Sequence, residues 1–206
     1  MTPMFQLPPA TAINKPLYKK AVFEKFNLNA AERDRFDADI SRMALVARVS
    51  SATVPALTKG KEIEGFYVLQ VALKRKDYDS KNILMLQKLI PQKMVFAMQY
   101  EEQTQFCIFH TRLQQSSWMT TNEAAIPLQG LSLDDVWNNI VATIGGLDVQ
   151  AEESIEEQII HREQREKLLR QIETLEKRAR VEKQTRKKYE LHQKIINLKE
   201  GLKNAE

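Results

Sequence analysis

The chain has 206 residues, of which 43% are hydrophobic, and a formal net charge of +4 at pH 7. That length suits one compact domain with an extension, or two small domains. No apolar run approaches the ~20 residues of a membrane-spanning helix, and residues 1–9 lack the features of a signal peptide. The single cysteine, Cys107, excludes an internal disulfide and favours the cytoplasm.

The first 50 residues carry signals for two helices. Pro16 predicts the start of a short helix that runs through Lys25, and Asn29 with Glu32 predicts a capping box at the start of a second helix. We expect this second helix to direct one apolar stripe at the core, formed by Phe36, Ile40, Met43 and Ala47. Residues 50–60 are rich in turn-forming residues and read as a connection.

Strand signals dominate the next 70 residues. Residues 63–73 are apolar on both faces, which is typical of a central strand. Asp79 or Ser80 is expected to cap a short helix that Pro91 ends. Two strands over 93–100 and 104–113 read as a hairpin, followed by an edge strand at 117–119.

A capped helix completes the first domain. Ser132 with Asp135 marks its start, and Gly145-Gly146 its end. Residues 1–148 are therefore predicted to form an α+β domain with a small mixed β-sheet covered by helices.

Residues 149–206 predict a long, basic C-terminal coiled-coil helix. Residues 151–200 contain no Pro or Gly, and a continuous helix over 151–203 would be about 80 Å long. Two apolar stripes follow coiled-coil spacing in different registers, and we expect them to form an interface with a partner or a second copy. The stripes consist of Leu168, Ile172, Leu175 and Ala179, and of Leu191, Ile195, Leu198 and Leu202.

The positive charge of the chain lies in this C-terminal segment. Residues 161–203 hold 14 Lys and Arg residues against 7 Asp and Glu, which favours a polyanionic partner. Intrahelical pairs such as Glu173–Lys177 and Glu182–Arg186 offer the plainer interpretation of a solvated helix face. The predicted nucleic-acid-binding residues are Lys177, Arg178, Arg180, Lys183, Arg186, Lys187 and Lys188, which would bind DNA through charge alone.

No residue pattern predicts a catalytic, cofactor or metal site with any specificity. Cys107 and His110 are expected on opposite faces of a strand, so they would not form a dyad. A metal-dependent nuclease would need converging carboxylates and a lysine. Glu62 or Glu64 with Asp79 and Lys81 could supply them, although helix capping explains Asp79 more simply.

Several short motifs, in order, resemble a known bacterial family. They are Phe5-x-Leu7-Pro8-x-x-Thr11, Lys19, Glu62-Ile63, Leu89-Ile90-Pro91-x-x-x-x-Phe96, Trp118, Leu131-x-Leu133-Asp134, and Glu182-Lys183-Gln184 with Lys187 and Leu191. In this order and spacing the chain resembles the "domain of unknown function" family numbered 4391. His192 stands where that family's pattern suggests Asn.

The resemblance implies an accessory protein and carries no catalytic residue. Members of the family tend to occur beside helicases and adenine-specific DNA methyltransferases in phage-defence regions resembling restriction–modification systems. The leading hypothesis is therefore a non-catalytic interaction subunit of such an assembly, with DNA as a possible second partner. The alternatives are a divergent metal-dependent nuclease and a purely structural coiled-coil adaptor.

Overall fold

The computed structural model describes residues 4–203 and divides into two compact units, Met1–Ile155 and Glu156–Glu206, each described here by itself. The first unit contains a seven-stranded mixed sheet, which confirms the predicted α+β class. The α-helices are α1 (Lys19–Lys25), α2 (Ala30–Asp39), α3 (Lys81–Leu89), α4 (Leu133–Gly145), α5 (Ile155–Val181) and α6 (Thr185–Lys203). The strands are β1 (Ala12–Leu17), β2 (Ile40–Ser50), β3 (Gly65–Leu73), β4 (Met94–Tyr100), β5 (Gln103–His110), β6 (Arg112–Gln115) and β7 (Met119–Thr120).

The sheet follows the chain order from β1 to β6, and β7 also pairs with β5. β3 and β4 are parallel and connected through α3, because a parallel pair needs a crossover. All other paired strands are antiparallel. β3 lies inside the sheet, as predicted for residues 63–73.

The two faces of the sheet carry different layers. On the first face, α1, α2 and α3 contribute Val22, Phe36, Ile83 and Leu86 to a core that also includes Leu69 and Val71 of β3. The second face carries Phe66 and Val68, both fully buried. There α4 packs on β5 and β6, and the Trp137 ring lies 5.6 Å from the Phe66 ring.

Residues 40–50 form β2 and not the second half of a helix. α2 ends at Asp39, and Ile40, Met43 and Ala47 lie on a strand that pairs with β1 and β3. The spacing of these residues fits a helix. Strand propensity depends on the neighbouring strands, however, and β2 forms hydrogen bonds with a strand along each of its edges. Pro16 likewise lies in the edge strand β1, where a missing N–H is tolerated, so α1 begins only at Lys19.

The predicted capping boxes are confirmed. The Glu32 N–H donates to Asn29 Oδ1 at 3.0 Å, and the Asn29 N–H donates to Glu32 Oε2 at 2.9 Å. Ser132 and Asp135 form the same reciprocal pair at the start of α4. These local bonds satisfy N–H groups that a helix start leaves free.

Two carboxylates fasten loops to the ends of helices. Asp39, only 1% exposed, accepts hydrogen bonds from Arg75 Nε, from the Asp79 N–H and from Asn82 Nδ2. Asp134 accepts hydrogen bonds from three consecutive backbone N–H groups, those of residues 61, 62 and 63. Asp39 thereby holds the β3–α3 connection, and Asp134 holds the loop before β3.

The C-terminal segment is a helical hairpin and not one long helix. α5 ends at Val181, α6 begins at Thr185, and the Glu182 carboxylate accepts a hydrogen bond from the Gln184 N–H at 2.8 Å in the turn. A single helix could not bury two stripes of different register on one side, whereas a hairpin lets them meet. Within residues 4–203, no helix has the length and apolar character to cross a membrane.

Candidate nucleic-acid interface

The apolar stripes of the second unit pack on each other within one chain. Ile172 and Ala179 of α5 and Ile195 of α6 are each 5% exposed or less. Leu175, Leu191 and Leu198 pack around them half-buried. Leu168 and Leu202, the other two predicted interface residues, are also half-buried. Because the hairpin buries most of this surface itself, the stripes alone do not require a second chain, and their binding to a partner remains a prediction.

An ion pair joins the two antiparallel helices α5 and α6. Lys199 Nζ of α6 lies 2.7 Å from Glu176 Oε1 of α5. The hydrogen bond from the Lys199 ammonium is the main cause that lowers the pKa of Glu176. Both groups are solvated, so the pair fixes register more than it adds stability.

The hairpin turn gathers the predicted nucleic-acid-binding residues at one end of the second unit. α5 contributes Lys177, Arg178 and Arg180, the turn contributes Lys183, and α6 contributes Arg186, Lys187 and Lys188; all seven are exposed. Only one acidic residue, Glu182, lies between residues 177 and 188. A continuous helix would have spread these cations along and around its axis.

Intrahelical pairs neutralise only part of this charge. The predicted Glu173–Lys177 pair is confirmed, with Lys177 Nζ 2.6 Å from Glu173 Oε1. The predicted Glu182–Arg186 pair is wrong, because Glu182 turns to the Gln184 N–H and Arg186 Nε lies 3.4 Å from Glu190 Oε1. Among the described residues, no ion pair forms at Arg178, Lys183, Lys187, Lys188 or Lys194.

The cations divide between two grooves of the hairpin. One groove, of about 600 Å³, is lined by Arg178, Lys183, Lys187 and Lys194 and is called the turn groove below. Its two acids, Glu182 and Glu190, are already engaged by the turn and by Arg186. The other groove, of about 510 Å³, is lined by Arg180, Lys188, His192 and Lys199. The turn groove therefore presents four cations to one side of the hairpin.

The sequence does not indicate the turn groove, because no Pro or Gly marks the turn. The break in register between the two stripes was the one signal of an interruption. Lys194, outside the predicted basic segment, joins the groove because α6 folds back on α5.

The residues of the nuclease hypothesis do not converge. Glu62 and Glu64 precede β3, whereas Asp79 and Lys81 follow it, and nine strand residues separate their ends by about 30 Å. Glu64 pairs with Lys59, and Asp79 Oδ1 accepts a hydrogen bond from the Lys81 N–H at the start of α3. Within residues 4–203, no group of three His, Cys, Asp or Glu side chains could hold a metal ion. The fold therefore does not bring these four residues together at one site.

Cys107 lies in the core of the first face, where it is fully buried. Burial raises the pKa of its thiol to about 11, and the Tyr78 hydroxyl lies 3.4 Å from its sulfur. His110 lies on the second face, where its Nδ1 accepts a hydrogen bond from Trp137 Nε1 at 3.4 Å. The two side chains therefore cannot act as a dyad.

We expect Cys107 to react at least about 100-fold more slowly with a chromogenic disulfide reagent in the native protein than in denaturant at pH 8. A raised pKa leaves little thiolate at that pH, and burial blocks access to what remains. The absorbance of the released thiolate measures both rates. Rapid reaction of the native protein would show that the thiol is accessible.

Two motifs that carried the family resemblance meet in the fold. Asp134 of one motif accepts the N–H groups of Glu62 and Ile63 of another. Thr58 connects to the same region, since its N–H donates to the Leu131 carbonyl at 3.0 Å. Lys19 pairs with Asp37, where Lys19 and Lys74 hold the pKa of that carboxyl at about 2. These motif residues fasten the fold.

Comparison with known proteins supports the resemblance. The family model described as Domain of unknown function (DUF4391) matches residues 5–202. No functionally curated protein and no solved structure matches the chain. Because the match spans nearly all of its 206 residues, the chain belongs to the DUF4391 family.

Proposed function

We propose that this chain is a non-catalytic, cytoplasmic accessory subunit of a bacterial defence assembly that contains a helicase and a DNA methyltransferase. In this proposal the α+β unit docks a larger enzyme, and the hairpin contacts the DNA backbone. The observation that carries the DNA contact is the set of four turn-groove cations that form no ion pair among the described residues, and the assembly role is proposed from the family resemblance.

The chemistry of the turn groove favours phosphate over other anions of lower charge density. Lys183, Lys187 and Lys194 are exposed, and lysine ammonium groups bind phosphates by charge without reading sequence. Lys187 and Lys194 lie two helical turns apart, about 10 Å along α6. That span matches several phosphates of one strand, because each strand carries a charge every ~3.4 Å of duplex axis.

Four phosphate contacts set the expected salt dependence. The slope of log affinity against log salt concentration should be about −3.6 for duplex DNA. Between 50 and 200 mM salt, affinity should therefore fall about 100-fold. Binding should show little dependence on DNA sequence, since no base-reading element is involved.

Charge reversal in the turn groove tests the proposal. The triple variant Lys183→Glu, Lys187→Glu and Lys194→Glu should weaken binding to a fluorescent duplex by about 100-fold and flatten its salt slope to about −1. All three side chains are exposed, so the fold should persist. Fluorescence anisotropy across a salt series measures affinity and slope together.

A matched control separates local from overall charge. Lys25→Glu, Lys61→Glu and Lys88→Glu change the net charge equally, and all three lysines are exposed in the first unit. This control should retain most of the affinity and the steep slope. Equal losses in the two triple variants would show that only net charge matters, which contradicts a defined DNA surface.

One observation favours the alternative hypothesis of a structural adaptor. Val181, Tyr189 and Ile196 on the hairpin are 78%, 64% and 47% exposed, and exposed apolar side chains suit a protein partner. Co-purification of the native complex tests this directly. If the turn-groove variant dissociates a protein complex and leaves DNA affinity unchanged, the hairpin binds an acidic protein surface.

A further inference from the structure

A groove opens on the second face of the sheet, over β1, β2 and β3. In the strand order it lies towards the opposite edge of the sheet from β5 and β6, which α4 contacts. Its volume is about 770 Å³, within the range of ~300–1,000 Å³ that is usual for small-molecule sites. The lining consists of Met4, Pro9, Ala12, Ile13, Asn14, Pro16, Arg42, Met43, Ala44, Val46, Gln70 and Ala72. This site, the sheet groove, belongs wholly to the first unit.

The shape of the sheet groove follows from small side chains on its floor. Ala44 lies opposite Gln70, and Ala72 lies opposite Arg42, in the β2–β3 register. Alanine at two floor positions leaves space where larger side chains would fill the face. Met4 contributes an adaptable wall, since methionine fits irregular shapes.

Two polar side chains, Gln70 and Arg42, border this apolar surface. Gln70 Nε2 donates to Gln99 Oε1, and Gln99 Nε2 donates to Thr104 Oγ1 at 3.4 Å. Thr104 is fully buried and its hydroxyl lies 2.9 Å from that of Thr121. This chain of hydrogen bonds fixes the Gln70 amide. Its Oε1 atom has no hydrogen-bond donor among residues 4–203.

Arg42 supplies a positive charge at the rim. Its side chain is exposed and forms no ion pair in the described part of the chain. The residues that line the sheet groove include no Asp or Glu, so an anion entering there meets no opposing carboxylate. Guanidinium groups bind carboxylates, sulfonates and phosphates through paired N–H donors.

We propose that the sheet groove binds a small, largely apolar organic molecule that carries one anionic group and one hydrogen-bond donor. The anion meets Arg42, the donor meets Gln70 Oε1, and the apolar body covers Ala44 and Ala72. An apolar lining with a few oriented polar groups is the usual design of small-molecule sites. This proposal is independent of DNA binding by the hairpin.

A pair of fluorescent probes tests the proposal with the full-length protein. Anilinonaphthalene sulfonate combines an aromatic body, an N–H donor and one anion, whereas phenylnaphthylamine has the same body and donor without the anion. Both should bind saturably, one probe to each protein, with a blue-shifted emission. Arg42→Gln should weaken binding of the sulfonate by about 10-fold and leave binding of the uncharged probe unchanged.

Two further variants locate the probes. Ala44→Trp should fill the sheet groove and weaken both probes by at least about 10-fold, and circular dichroism should show that it remains folded. Lys183→Glu with Lys187→Glu and Lys194→Glu should not alter either affinity. Absence of saturable binding, equal binding by wild type and Arg42→Gln, or a loss confined to the hairpin variant would each overturn the assignment.

Discussion

Replacing Asp39 with Ala should lower the free energy of unfolding by about 2–4 kcal/mol. Asp39 is 1% exposed, and its carboxylate accepts hydrogen bonds from the Asp79 N–H at 2.9 Å and from Asn82 Nδ2 at 2.8 Å. Asn82 is itself 7% exposed, so its amide would lose an acceptor that water cannot readily replace. The Arg75 guanidinium, 58% exposed, would return to solvent at little cost.

Urea unfolding followed by tryptophan fluorescence measures this change. Both tryptophans of the chain, Trp118 and Trp137, lie in the first unit and report on its unfolding. Asp37→Ala is the matched control, because Asp37 lies two residues away but pairs with Lys19 and Lys74 at a half-exposed position. It should change stability little. Similar midpoints for the two variants would mean that Asp39 does not fasten the β3–α3 connection.

The two capped helix starts were predictable from residues a few positions apart, whereas β2 and the contacts of Asp39 depend on distant partners and were not. The capping box at Asn29 involves a residue three positions away, and it was predicted. β2 depends on pairing with β1 and β3, and its apolar spacing taken alone predicts a helix. Asp39 has partners 36 to 43 residues away. Nothing in the sequence around Asp39 sets it apart from the other aspartates.

The candidate site shows the same division. Local charge density identified the cations between Lys177 and Lys188, and their exposure agrees with that reading. Their grouping depends on a turn at residues 182–184 that has neither Pro nor Gly. The sheet groove was not predictable, because it combines the N-terminal segment with β2 and β3 through long-range strand pairing.

Replacing Ile195 with Asp should unfold the hairpin turn region and weaken DNA binding by more than about 10-fold. Ile195 is 5% exposed and packs with Ile172 and Ala179 between α5 and α6. A carboxylate there would be buried without a partner, which costs several kcal/mol. Most helical stability in proteins comes from tertiary packing, so losing the contact between the two helices should also reduce helicity in circular dichroism.

Ile196→Asp provides the control for this effect, because it introduces the same charge one residue away. Ile196 is 47% exposed, so its replacement should change helicity and stability little. Both variants lower the charge of α6 equally, and a difference in DNA affinity between them must therefore come from the packing that holds the turn groove together. If both bind DNA as wild type does, the arrangement of the cations is unimportant. Binding by Ile196→Asp alone would show that the hairpin fold, as well as its charge, creates the DNA surface.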